Sequence, residues 1–278
     1  MNKLFAFVVT CFFLSCSYAQ NNPVYEVYAI TFARAPGYVH ERDMALNPPV
    51  KDSTKVVFMT WLLKGNNGKT ILVDAGFQRS GKFFAPGFMD YTRPDSSLML
   101  LGVKPEDITD IIITHPHWDH VGGIDLFPNA RIWMQREDYR YLVVDMWQKD
   151  GKRMGIDSSD VLKIVDLNTR GRVQLVNGDD VEIMPGIRAY IGSKHTYESQ
   201  YVVVNTATDK VLVASDNSWF YYNLDHLASI ALTFDENAYV RNLQRMKTLV
   251  KPGLIIPGHD AQVLERFTKV KEGVVRIR

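Results

Sequence analysis

The chain has 278 residues, 46% of them hydrophobic, and a formal net charge of +1. That balance argues against a strongly basic nucleic-acid binder and against a strong field that steers a charged substrate, and the length suits one domain with a sizeable core. Residues 1–19 begin with Lys3, continue through the apolar run Leu4-Phe5-Ala6-Phe7-Val8-Val9 and end in Ser17-Tyr18-Ala19. A basic start, a short apolar stretch and a small-x-small end read as a secretory signal peptide cut after Ala19. The run is too short for a comfortable membrane span. An alternative takes Leu14-Ser15-Cys16 as a lipoprotein box, with Cys16 as the anchor. Either way the mature domain, 20–278, is expected in the periplasm or outside the cell, with no integral membrane span after the leader is removed. Both cysteines, Cys11 and Cys16, lie in the leader, so the mature domain is expected to have no disulfide and no thiolate ligand. Removing the leader also removes one lysine and no acid, which leaves no basic surplus for nucleic acid.

Residues 24–32 predict a first strand, and 34–55, with three prolines, a loop able to lie over a site. Residues 56–64 and 69–73 predict a hairpin through Gly65-Asn66-Asn67-Gly68. The second strand ends in Asp74-Ala75-Gly76. Residues 77–94 read as a loop, 96–101 as a short helix and 105–107 as a turn.

Next comes Ile111-Ile112-Ile113-Thr114, a β-branched run that predicts a buried strand. His115-Pro116-His117-Trp118-Asp119-His120 follows directly. The chain has seven histidines, and three fall within these six positions. Alternate residues just past a strand end point the same way, so His115 and His117 can share one ion. Asp119 and His120 then turn toward a second position. Nitrogen and oxygen donors of this kind suit a borderline metal such as zinc.

The run His115-x-His117-x-Asp119-His120 resembles the signature of the metallo-β-lactamase superfamily. The resemblance implies further ligands in a set order, and His195, Asp216 and His259 occupy those places. Val211-Leu212-Val213-Ala214-Ser215-Asp216 is an apolar strand ending in a carboxylate, and Leu254-Ile255-Ile256-Pro257-Gly258-His259 is another ending in a histidine. The implied fold is α/β, a four-layer αβ/βα sandwich with the metals at one edge between the sheets. His115, His117 and His195 would hold one divalent ion, Asp119, His120 and His259 a second, with Asp216 bridging and Zn2+ the expected metal. Asp74 resembles the carboxylate of the family's Asp-x-Gly turn and is expected to orient a metal-binding imidazole. Val121-Gly122-Gly123 is expected to let the backbone pass close to the metals.

Further along, 130–135 predicts a strand, 137–147 a helix and 149–159 a polar loop. Residues 161–165, 173–176 and 181–184 predict strands, and 187–191 leads into the third ligand segment. That segment, Gly192-Ser193-Lys194-His195-Thr196-Tyr197-Glu198, departs from the family pattern, in which a glycine precedes the histidine and Thr-Pro-Gly follows it. Lys194 is placed to meet a substrate anion. Residues 201–205 and 210–215 predict a hairpin, and 235–250 a helix with Asp235 as N-cap and Ala238, Leu243, Met246 and Val250 on its apolar face.

The chemistry implied is hydrolysis of an ester, thioester, lactone or amide by a metal-activated hydroxide, with Asp119 passing the proton to the leaving group. Asp216 stands where β-lactamases of this fold carry cysteine or serine, which disfavours a β-lactam. Only 19 residues follow His259, too few for the C-terminal helical domain of glyoxalase II relatives. The segment Gln135-Arg136-Glu137-Asp138-Tyr139, and the spacings from His195 to Asp216 and His259, are similar to those of the N-acyl homoserine lactonases. The resemblance therefore implies a small-molecule lactone substrate, with opening of the ring of N-acyl homoserine lactones as the expected reaction and another ester, a thioester or a β-lactam as the alternative substrate. Such lactonases carry a tyrosine three residues after the bridging aspartate; here that position is Trp219. Tyr197, Tyr221 or Tyr222 is expected to supply the missing donor, and Trp118, Trp219 and Phe220 to line an acyl-chain channel.

Overall fold

The computed structural model describes residues 22–35, 39–40, 45–46, 53–84 and 90–278. The leader and most of the 34–55 loop lie outside the described residues. Strand β1 (Tyr25–Arg34) is followed by three two-residue strands, β2 (Val39–His40), β3 (Ala45–Leu46) and β4 (Ser53–Thr54), and then by the hairpin β5 (Val57–Gly65) and β6 (Thr70–Val73). Next come α1 (Pro94–Leu98), β7 (Asp110–Ile112), α2 (Trp118–Val121), β8 (Arg131–Gln135), α3 (Arg136–Val143), α4 (Ser158–Thr169) and β9 (Val173–Val176). The second half holds β10 (Val181–Met184), β11 (Ile187–Ile191), β12 (Gln200–Asn205), β13 (Lys210–Ser215), α5 (Tyr221–His226), β14 (Ser229–Ile230), α6 (Glu236–Leu249) and β15 (Ile255–Pro257). It ends with α7 (Val263–Arg266), β16 (Thr268–Lys271) and β17 (Val274–Arg276).

Among the described residues, one sheet runs β16-β17-β1-β5-β6-β7-β8-β9 and a second runs β10-β11-β12-β13-β15. The first is antiparallel as far as β6 and parallel from β6 through β9. The second is antiparallel except for the β13–β15 pair.

Alternation along the strands sends side chains to two different cores. On β5, Val57, Met59, Trp61 and Leu63 enter the core shared with the second sheet, while Leu62 enters the core beneath the helices. At the central strand, Ile112 faces the first core and Ile111 and Ile113 the second. A strand buried on both faces reads as an unbroken apolar run, which is how 111–113 looks in the sequence. α6 closes the far side of the second sheet with Tyr239, Leu243 and Met246. Asp235 caps it, accepting from Ala238 N at 2.9 Å. Tyr239 takes the buried place expected of Ala238.

Residues 161–165 are helical, against the expectation of a strand. They lie inside α4, where Val161, Ile164 and Leu167 recur at helical spacing on the buried side. Asp157 caps that helix through Ser159 N at 2.9 Å, a contribution of about 1 kcal/mol. The helix expected at 96–101 begins earlier, at Pro94, and tightens to a 3-10 turn over Met99–Leu101. The C-terminal strands β16 and β17, not anticipated from sequence, extend the first sheet beyond β1. No helix of the described residues is long and apolar enough to cross a membrane.

Candidate metal centre

Three ligand segments sit at strand ends along one edge of the two sheets. His115 and His117 follow β7, Asp216 follows β13, and His259 follows β15. His195 comes from the loop between β11 and β12. Their donor atoms form two groups, His115, His117, His195 and Asp216 in one, Asp119, His120 and His259 in the other; within each group they lie within 4.8 Å of one another. Every member is buried.

Asp216 faces both groups. Its Oδ2 is 3.2 Å from His195 Nε2 and 3.7 Å from His115 Nε2. Its Oδ1 is 3.0 Å from His259 Nε2 and 3.2 Å from His120 Nε2. Asp119 Oδ2 completes the second group at 3.2 Å from His120 Nε2 and 3.6 Å from His259 Nε2. Zinc–donor bonds of about 2.0–2.2 Å place tetrahedral donors about 3.3–3.6 Å apart. The donors are thus spaced as ligands of shared ions.

Four imidazoles are held from behind by Nδ1. His115 Nδ1 meets Thr114 Oγ1 at 2.9 Å, His120 Nδ1 meets Asp74 Oδ2 at 2.8 Å, His195 Nδ1 donates to Leu232 O at 2.7 Å, and His259 Nδ1 to Val57 O at 2.9 Å. This fixes the tautomer that aims Nε2 inward. Among the described residues, the Nε2 atoms of His115, His120 and His195, together with Asp216 Oδ1, are buried without a hydrogen-bond partner. Orphaned buried donors and acceptors carry a cost that a cation at each group removes. His117 is seated differently. A Cβ at Gly155 would stand 2.8 Å from its Cδ2 and 3.2 Å from its Nε2, so the ring edge carrying Nδ1 is the one turned away from that loop.

The electrostatics agree. Burial, then the neighbouring His195, pushes His117 down to about 3, so it is neutral and ready to donate a lone pair. Burial and His120 likewise hold His115 well below its ordinary value. Burial works to lower His120, but Asp119, Asp216 and Asp74 outweigh it and hold that imidazole well above the usual range. Burial works to raise Asp216, and His259, His120 and His115 outweigh it in the other direction. The carboxylates around His120 thus call for positive charge at its inner nitrogen.

Asp74, the expected orienting residue, touches more than one partner. It is fully buried and accepts from Thr114 N at 2.8 Å and Ser215 Oγ at 2.7 Å as well as from His120. Both Asp74 (φ 60°) and Ser215 (φ 48°) are in the left-handed region, a mild strain of the kind found at functional sites. Asn217, which the sequence did not single out, organises the His195 loop. Its Oδ1 accepts from Ser193 N at 2.7 Å and Ser199 Oγ at 2.9 Å, and its Nδ2 donates to Gln200 O at 2.9 Å. Asp138, within the segment singled out above, secures the other side, accepting from Thr196 Oγ1 at 2.7 Å and Glu198 N at 3.1 Å. A Ser-Thr-Asn layer of this kind looks like ordinary loop composition in sequence.

Several pocket assignments need correction. Phe220 is fully buried in an aromatic cluster with Phe32, Phe58 and Phe77, so it lines no channel. Tyr221 starts α5 with its side chain in the core and its ring under the Arg266 guanidinium at 3.6 Å. Tyr222 packs against that aromatic cluster and on His226, 4.2 Å between ring centroids. Lys194 donates to Tyr197 O at 2.7 Å and sits over the Tyr197 ring, so it staples its own loop and lines neither cavity at the metal centre. Gly123 serves close packing against the Asp74-x-Gly76 turn, since a Cβ there would fall 2.3 Å from Ala75 O. Trp118 and Trp219 do line a small cavity of about 160 Å³ over the second group, beside Asp119, Asp216 and His259. Tyr197 lines a larger cavity of about 350 Å³, stacked on Tyr141 at 4.7 Å. That cavity is walled by Met146, Met154, Ile156 and Phe234 and reaches the metal centre at His117 and His195.

Residues 59–259 match the model of the metallo-beta-lactamase superfamily. The chain is 29% identical over 230 residues to an N-acyl homoserine lactonase of Bacillus sp, covering 76% of this chain and 83% of that one. A crystal structure of a Bacillus thuringiensis AiiA mutant, with N-decanoyl-L-homoserine bound at its active site, superposes with a TM-score of 0.69 at 23% identity, covering 89% of this chain and 98% of that one. AidC, described as a dizinc quorum-quenching lactonase in complex with a product, superposes with a TM-score of 0.64 at 16% identity, covering 86% and 92%.

Proposed function

We propose that this chain, which belongs to the metallo-β-lactamase superfamily and is a metal-dependent hydrolase of it, opens the lactone ring of N-acyl homoserine lactones. One observation carries the reading: the metal centre opens, past His117 and His195, onto an apolar cavity of about 350 Å³. A polar ring to be cleaved at the metals and an apolar tail beside it match that shape. The lactonase relatives support the same choice.

Two divalent ions, zinc by preference, would be held by His115, His117 and His195 on one side, by Asp119, His120 and His259 on the other, and by Asp216 between. Such ions supply an acidified water and a polarised carbonyl. The remaining work falls to the chain. Asp216 keeps the two sets of imidazoles in register through its two oxygens. Asp74, Thr114, Leu232 and Val57 hold the imidazoles at their outer nitrogens. Asp119 lines the small cavity and carries a proton to the ring oxygen as the ring C–O bond breaks. The new C–O bond comes from water, and the carboxylic acid formed releases one proton per turnover at neutral pH. Met146, Ile156 and Phe234 shield the acyl tail from water.

The test is a panel of lactones, nitrocefin and S-lactoylglutathione on metal-loaded protein, with a pH indicator and mass spectrometry of the products. Ring opening should be fastest for acyl homoserine lactones and should fall at least a hundredfold in Asp119→Asn. Faster turnover of nitrocefin or the thioester than of any lactone overturns the substrate. About two ions per chain should be found by elemental analysis; one iron with dioxygenase activity overturns the hydrolytic reading. We also propose export on the strength of the leader's pattern, tested by sequencing the mature N-terminus; retention of residues 1–19 would refute it.

A further inference from the structure

The position of Trp219 assigns it a task that lining a cavity does not explain. A carboxylate turns about a broad, two-fold Cβ–Cγ torsion, so something must set its rotation where each oxygen is to serve a different ion. Apart from the imidazoles of the site, among the described residues the donor that meets the Asp216 carboxylate is the indole Nε1 of Trp219, 2.7 Å from Oδ2. Oδ1 has no hydrogen-bond partner. The indole is itself fixed. Its ring stands edge-on to His195 at 5.8 Å and to His259 at 6.3 Å, so it spans both halves of the centre. Its backbone oxygen accepts from His259 N at 3.0 Å. An indole N–H only donates, so it neither ionises nor competes as a ligand. What it can do is hold a carboxylate still.

We propose that Trp219 is a positioning residue for the metal centre: its N–H locks Asp216 in the rotation that presents Oδ2 to the His115–His195 side and Oδ1 to the His120–His259 side. The inference rests on the two-ion reading of the site and not on the choice of substrate. Without the N–H, Asp216 is free to turn. The His115–His117–His195 side, where Oδ2 supplies the carboxylate donor, should then bind its ion about 10–100-fold more weakly, the usual effect of removing a group that orients a ligand.

The experiment is equilibrium dialysis of the purified holoenzyme against buffers of graded free zinc, followed by elemental analysis. The variants are Trp219→Phe and a protein with benzothienylalanine at position 219, which keeps the bicyclic ring and lacks only the N–H. Both should retain one ion at near-parental affinity and lose the other at 10–100-fold higher free zinc than the parent. The cobalt-loaded parent and variants should also differ in visible absorption, which reports coordination geometry rather than turnover. Affinities within threefold of the parent for both ions in both variants overturn the proposal. So does weakening in the Phe variant alone, since bulk and not the N–H would then be acting. If the Phe variant fails to fold, the ring-preserving analogue decides. A parent that loads a single ion overturns the two-ion reading and this proposal with it. Slow lactone turnover by a fully loaded parent overturns only the substrate.

Discussion

Replacing Asp74 by Asn tests whether the layer behind the ligands holds the centre together. The substitution keeps shape, and Asn tolerates the left-handed backbone at φ 60°, so the main effect is chemical. Oδ2 accepts from His120 Nδ1 at 2.8 Å and Ser215 Oγ at 2.7 Å, and Oδ1 from Thr114 N at 2.8 Å. An amide nitrogen at Oδ2 would face the imidazole N–H; at Oδ1 it would face a backbone N–H. Either placement sets donor against donor in a fully buried site. Breaking a buried charge-assisted pair and stranding its donor costs about 3–5 kcal/mol. For a chain of this size that lowers Tm by about 6–20 °C. The free His120 ring should also weaken zinc binding about 10–100-fold. Thermal melts at fixed free zinc, with dialysis against graded zinc, read both effects, and Asp125→Asn at an exposed position serves as control. A melting point within about 2 °C of the parent and zinc affinity within about threefold would refute the reasoning.

Other outcomes follow from the same geometry. Burial raises Asp138 to about 6 against the ordinary 3.8. The folded value exceeds the unfolded one, so its penalty is absent below about pH 4, grows between about 4 and 6, and reaches about 3 kcal/mol above that. In urea titrations the parent should therefore lose stability relative to Asp138→Asn as pH rises through that window; a constant difference contradicts it. Ile156→Phe should narrow the larger cavity and lower kcat/KM for long acyl chains about tenfold or more while sparing short ones, read from a chain-length series; a uniform change would place the tail elsewhere. Tyr221→Phe should leave kcat near the parental value and keep stability within about 1 kcal/mol, because its hydroxyl is buried without a hydrogen-bond partner. A steep fall in kcat with metal content unchanged would restore it as the substrate's donor.

The parts of the molecule readable from sequence are those where one physical signal dominates. The β5–β6 hairpin announces itself by a Gly-Asn-Asn-Gly turn between apolar runs, and the ligands by residue type and spacing at strand ends. The segment 161–165 misleads because Val161, Ile164 and Val165 favour extended backbone locally, while Asp157 and the packing of Leu167 make it helical. The cavity beside the metals is assembled from 141–156, 195–197 and 231–234, distant stretches whose Met, Ile and Phe look like core. Counting from Asp216 points to Tyr221 and Tyr222, but the chain enters α5 there, which turns Tyr221 into the core and packs Tyr222 against the aromatic cluster and His226.

The five residues from Ser215 to Trp219 explain why the two ion sites are mechanically one. Ser215 donates to Asp74, which holds His120. Asp216 faces four imidazoles, and its backbone oxygen accepts from Tyr239 Oη at 3.0 Å. Asn217 ties down both ends of the His195 loop through Ser193 and Ser199. Ser218 O accepts from Gly258 N at 2.9 Å, and Trp219 O from His259 N at 3.0 Å. Consecutive residues therefore grip separate ligand segments, and a shift of this one turn moves them together. Substitutions at 215, 217 and 219 should not combine additively, because all three act on the one short turn that carries Asp216.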